Sequence, residues 1–135
     1  DERLQANPLL RAIPRERRID LVGRIDLLTA AACLARARLF VGNDSGLMHM
    51  AAAMGTPTLG LFGPSKTALY APWGPHAAFV RTPESFEELT GASDYDHRTT
   101  GSLMGGLAVD TVESAARALI AAANDRPPQR KAASE

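Results

Sequence analysis

Apolar positions along the chain cluster in short compact runs separated by stretches with helical spacing. In DLLTAAACLARAR, Leu27, Leu28, Ala31 and Leu34 recur at helical intervals and Asp26 stands where an N-cap belongs, which predicts a helix over 26–37. LFVG at 39–42 is the kind of apolar run that forms a buried parallel strand. Residues 45–54 predict a second helix, with Leu47, Met50, Ala51 and Met54 on one face and Gly55-Thr56-Pro57 as its stop. TLGLF at 58–62 predicts a second strand. HAAFVRT predicts a third, around Ala78–Arg81.

The remaining segments carry weaker patterns. Residues 2–12 have some helical character, broken by Pro8 and closed by Pro14. A basic turn, Arg15 to Arg18, leads to the apolar stretch Ile19 to Val22. Gly63 opens a long loop with Pro64, Pro72, Gly74 and Pro75, and residues 83–106 read as mostly irregular. Asp110 is placed to cap a last helix over 111–123, and 124–135 is expected to be a disordered tail behind a single domain, 1–123. The alternation predicts an α/β fold, a Rossmann-like parallel sheet with helices on both faces. Ligands of such sheets bind beyond the carboxyl ends of the strands, where the turns GNDSG and LFGPS would both emerge.

Composition removes several classes of function. Lys plus Arg number 15 and Asp plus Glu 15, and this zero net charge argues against a general nucleic-acid binder. The single cysteine, Cys33, excludes an internal disulfide and any multi-cysteine metal site. No apolar run approaches the roughly 18 residues of a spanning helix. The first residues, DERLQANPLLRAIPRERR, lack the apolar core of a signal peptide. The chain starts with Asp, and the expectation is a piece of a longer protein.

The densest chemistry lies in GNDSGLMH, residues 42–49. Ser45 and Gly46 start a helix directly after a strand, so the first amide hydrogens lack partners and the helix dipole adds positive charge. Gly46 has no side chain to obstruct a ligand, and such a turn holds a phosphate or pyrophosphate. His49 shares the face of Ser45 one turn on and can donate to a phosphate oxygen. Asp44 cannot attract a phosphate, but it can accept hydrogen bonds from sugar hydroxyls. The pairing therefore suggests a sugar nucleotide. A purely structural account also fits: Asn43 or Asp44 as helix caps and His49 as an interior histidine. Trp73 fits packing and an aromatic wall equally well. His76 and His97 have no partners at metal-ligand spacing.

The run DLVGRIDLLTAAACLARARLFVGNDSGLMHMAAAMGTPTLGLFGP, Asp20 to Pro64, closely resembles glycosyltransferase family 9, the ADP-heptose:lipopolysaccharide heptosyltransferases and their relatives. The resemblance is carried by Gly23 and Leu27, by Val41, Asp44, Ser45, Gly46, His49, Ala51, Ala52 and Pro57, and by Leu61, Phe62 and Gly63. It implies the C-terminal, nucleotide-sugar-binding half of a GT-B fold, with the N-terminal acceptor domain absent. It further implies that Asp44 contacts the donor sugar and that Ser45, Gly46 and His49 hold the diphosphate. Arg24 and Ile25 are expected beside the adenine, and Glu2 near the ribose. The implied reaction is inverting transfer from an ADP-sugar, by resemblance ADP-heptose, to a lipopolysaccharide core or related surface glycan. It needs no cofactor and no metal. The catalytic base is expected in the missing domain, so the isolated chain is expected to be inactive. The implied location is the cytoplasmic, inner face of the cytoplasmic membrane, with peripheral association of the full protein and no nucleic-acid partner.

One competing reading belongs to a different class. Asp94 and His97 have the D-x-x-H spacing of SGNH-type serine esterases. In that reading Ser45 attacks, His97 is the base and Asp94 orients it.

Overall fold

The computed structural model describes residues 2–91 and 102–124. Three parallel strands, β1 (Phe40–Asn43), β2 (Thr58–Phe62) and β3 (Ala77–Arg81), form one sheet in the order β1-β2-β3. The register pairs Gly42 with Gly60 and Asn43 with Leu61 across β1 and β2, and Gly60 with Phe79 across β2 and β3. All three strands lie within a residue of the positions that the apolar runs predict, and β2 coincides with its run.

Helices α1 (Glu2–Ala12), α2 (Leu27–Leu34), α3 (Gly46–Ala53), α4 (Thr67–Tyr70), α5 (Phe86–Thr90) and α6 (Val109–Asn124) surround this sheet. Helix α3 lies against β1 and β2, α6 against β2 and β3, and α2 packs on α3. Side-chain alternation assigns the faces. A methyl group on Gly60 would meet Met48 of α3 and the Phe62 ring, so residues 58, 60 and 62 point to α3. Leu59 points the other way and is fully buried, and Leu61 shares a cavity with Val109 and Val112 of α6. The predicted two-faced α/β sheet is therefore observed. Among the described residues no helix is long and apolar enough to cross a membrane.

Local chemistry explains the element ends. Asp26 caps α2 as predicted: its carboxylate accepts from the Thr29 N–H at 2.8 Å, and this bond holds its pKa below the ordinary value. Helix α2 stops at Leu34, short of the predicted 37, because the next residues form tighter turns, Arg36 N–H to Cys33 and Ala37 N–H to Leu34. Helix α3 ends on Gly55 with φ of 77°, where Gly55 N–H donates to the Ala52 carbonyl and Thr56 N–H to the Ala51 carbonyl. The Thr56 hydroxyl donates to the Leu34 carbonyl at 2.6 Å and so ties the ends of α2 and α3 together.

Several expectations are corrected. Pro8 does not break the first helix; it deletes one backbone bond, and α1 runs through it. Asp110 is not a cap: α6 begins at Val109, and Asp110 sits in its first turn, where it complements the dipole. Helix α6 also takes in Asn124, and the rest of the expected tail, 125–135, lies outside the described residues. The stretch read as irregular contains α5, started by a capping box in which Ser85 Oγ accepts from Glu88 N–H and Ser85 N–H donates to the Glu88 carboxylate. The buried face of α3 keeps Ala51 as predicted but otherwise differs from the predicted one. Met48 and Ala51 are buried, whereas Leu47 and Met54 are 46% and 45% exposed.

Arg3 ties helix α1 to the segment around Asp20. Arg3 donates to Asp20 Oδ2 at 2.8 Å and to the Val22 carbonyl at 3.0 Å, and Arg24 approaches the same oxygen at 3.3 Å. The Arg3 hydrogen bond in particular holds the Asp20 carboxyl below its ordinary value of 3.8. A depressed carboxylate stabilises the fold above its unfolded pKa and ceases to do so as pH falls through the lower, folded value. Acid titration followed by amide exchange should therefore release α1 only below the normal aspartate range, and Asp20→Asn should release it at neutral pH. Unchanged protection of α1 in Asp20→Asn would refute this anchoring.

Candidate functional site

The GNDSG turn joins the carboxyl end of β1 to the start of α3. Gly42 lies inside the strand, and its φ is not positive. Its role is steric: a methyl group there would come within 2.7 Å of the Phe40 ring.

Ser45 is the N-cap of α3, with extended backbone angles, yet its side chain makes no capping hydrogen bond. Asn43 and Asp44 supply none either among the described residues. Met48 and His49 donate to the Ser45 carbonyl, which leaves the Gly46 and Leu47 amides without an acceptor among the described residues. A methyl group on Gly46 would meet nothing within 4 Å, so the space above the helix start is open. The capping account of Asn43 and Asp44 therefore lacks its hydrogen bonds. What remains is an open helix start with exposed donors, the geometry that holds an anion.

Asp44 and His49 flank this opening. His49 Nε2 lies 3.9 Å from Asp44 Oδ1, too far for a hydrogen bond, and the two side chains are 47% and 23% exposed. His49 is thus a surface group at the site, contrary to the interior alternative. The turn brings Asp44, Ser45, Gly46 and His49 together as predicted. Arg24 and Ile25 lie elsewhere in sequence, on the turn that precedes α2. Glu2 opens α1, and its neighbour Arg3 is bonded to Asp20 and Val22, so the start of α1 is fastened to the Arg24 turn. The three residues expected around the nucleoside therefore belong to one connected region.

Asp94 and His97 lie outside the described residues. Among the described residues no group of three or more His, Cys, Asp or Glu side chains is arranged to hold a metal ion. Sequence reasoning missed the arrangement around Lys66, whose ammonium stands 4.9 Å from the centroid of the Phe86 ring. The signal for it was the Ser85-to-Glu88 capping box, which places Phe86 at the start of a helix rather than in an irregular stretch.

A parallel sheet covered by helices on both faces, with an open helix start after its first strand, defines an α/β domain of the Rossmann-like class. The comparisons make this particular. The model of glycosyltransferase family 9 (heptosyltransferase) matches residues 2–94, and the chain belongs to this family. It is 37% identical over 73 residues to lipooligosaccharide heptosyltransferase 2 of Haemophilus influenzae, covering 52% of this chain and 21% of that protein. It is 36% identical over 78 residues to lipopolysaccharide heptosyltransferase 2 of Escherichia coli, covering 56% and 22%. It is 45% identical over 51 residues to lipopolysaccharide heptosyltransferase 1 of Pseudomonas aeruginosa, covering 38% and 14%. The match spans about a fifth of the length of the first two relatives. No solved structure matches the chain significantly. The esterase reading finds no support in these comparisons.

Proposed function

We propose that this chain is the donor-binding part of a glycosyltransferase that acts in lipopolysaccharide core or related surface-glycan synthesis. The donor is an ADP-sugar, with heptose the transferred unit that the relatives' names suggest. The observation that carries the reading is the open start of α3, where the Gly46 and Leu47 amides have no acceptor among the described residues and are flanked by Asp44 and His49.

In this reading the α3 amides, the Ser45 hydroxyl and His49 hold the diphosphate, and Asp44 accepts from the hydroxyls of the sugar. Arg24, Ile25 and Glu2 surround the nucleoside. An acceptor hydroxyl attacks the anomeric carbon from the face opposite the diphosphate, the bond to the diphosphate oxygen breaks, and the configuration inverts. The departing diphosphate gains negative charge, which preorganised amide donors at a helix start stabilise. No metal cofactor is invoked. The proton of the acceptor passes to a base contributed by a further domain that also binds the acceptor, so this chain alone does not turn over. The complete enzyme works at the inner face of the cytoplasmic membrane, associated peripherally.

Calorimetry tests the reading. ADP should bind the chain, and an ADP-sugar should bind more tightly. Asp44→Ala should remove the advantage of the ADP-sugar, about tenfold for hydrogen bonds to a charged group, and leave ADP binding unchanged. If wild-type chain binds neither ligand, the donor reading fails.

A further inference from the structure

Pro64, Ser65, Lys66, Leu69, Tyr70 and Phe86 enclose an open cavity of about 380 Å³ that the donor reading does not use. Its walls come from the loop after β2, from α4 and from the first residue of α5. These segments follow the carboxyl ends of β2 and β3, so the cavity stands at the same sheet edge as the GNDSG turn, one strand over. The volume falls in the range of roughly 300–1,000 Å³ typical of small-molecule sites.

Lys66 gives the cavity its character. Among the described residues it meets the face of the Phe86 ring, and no carboxylate pairs with it. The ring contact restrains the ammonium but leaves its N–H donors available to an anion. The ring is itself held, because Ser85 and Glu88 fix the start of α5. Leu69 and Tyr70 are 72% and 50% exposed. Ser65 and Tyr70 add hydroxyls to apolar walls.

Aromatic and aliphatic walls, two hydroxyls and one cation with no carboxylate partner among the described residues suit a ligand with C–H faces, hydroxyls and a single anionic group. A neutral sugar would leave Lys66 without a counter-charge. A nucleoside diphosphate would bring several charges to one cation, and the start of α3 already offers it a cradle.

We propose that this cavity is a subsite for an anionic sugar unit of the acceptor glycan. Lys66 pairs with the carboxylate or phosphate, and Phe86 and Tyr70 lie against the sugar ring. The acceptor role rests on the transfer reading; the binding itself does not.

The test is an NMR titration of the full chain with methyl glucuronide, glucose 1-phosphate and the neutral methyl glucoside, with ADP titrated separately. Amides of 64–70 and 85–88 should shift, and at least one anionic probe should bind about tenfold more tightly than the neutral glucoside, the factor expected of a charge-assisted hydrogen bond. Whichever anion binds more tightly identifies carboxylate or phosphate as the natural group. Lys66→Met should abolish the preference, Lys66→Arg should retain it, and ADP affinity should change by less than about twofold in both. Equal binding of neutral and anionic probes, or shifts confined to other residues, overturns the proposal. Weakened ADP binding in Lys66→Met also overturns it, by assigning the lysine to the diphosphate. If wild-type chain fails to bind ADP while the anionic preference persists, the donor reading falls and the subsite stands.

Discussion

Gly46→Asp is expected to abolish ADP binding and to leave the domain at least as stable as before. The two effects have opposite signs because they act through the same field. An aspartate in the first turn of α3 meets the positive end of the helix dipole, which favours the fold by about 0.3–1 kcal/mol. The position has ordinary dihedrals, and an added Cβ meets nothing within 4 Å, so the side chain is accommodated. The same carboxylate occupies the space that a diphosphate requires. Like charges brought together at a binding site cost several kcal/mol, roughly a hundredfold or more in affinity. Calorimetry with ADP and a thermal melt on one preparation check both halves. ADP binding within a few-fold of wild type would remove the start of α3 from the donor site. Lost binding with a collapsed melting curve would show that the substitution acts through the fold.

Gly60→Val should be the most damaging single change in the sheet. Gly60 sits in the central strand, and even a methyl group there would lie 2.7 Å from Met48 Sδ, 2.7 Å from the Phe62 ring and 3.2 Å from Pro72. Met48 and Phe62 are both fully buried, so neither has free space to yield into. Overpacking of this kind costs about 1–3 kcal/mol, and valine belongs at the upper end. For a domain of this size that lowers Tm by roughly 10 °C. The loss should reach the site as well, because Met48 lies on α3, the helix whose first turn holds the cradle. Chemical denaturation of Gly60→Val and Gly60→Ala measures the cost. A valine variant as stable as wild type would contradict the close packing of α3 on β2.

Much of the site was legible without coordinates because it is local. GNDSG lies within one strand-to-helix turn, and the chain itself brings Asp44, Ser45, Gly46 and His49 together. The region expected around the nucleoside was less legible. Arg24 and Glu2 belong to one region through Arg3 and Asp20, a link made by side chains that are 17 residues apart in sequence. The cavity around Lys66 was missed for the same reason: Lys66 and Phe86 meet only after β3 has been added to the sheet.

The amino-acid sequence by itself determined where the three strands lie, where α2 is capped and α3 stops, and which residues meet at the turn between β1 and α3. These follow from short-range rules: apolar run length, the Asp26 carboxylate on its own first turn, the left-handed Gly55, and a turn whose ligands are neighbours in sequence. The tertiary structure alone decided which face of α3 is buried. GLMHMAAA is apolar nearly all round, so its pattern does not choose between Leu47 and Met48. The choice is made by the space over Gly60, which a side chain on the facing strand would have closed and which Met48 fills.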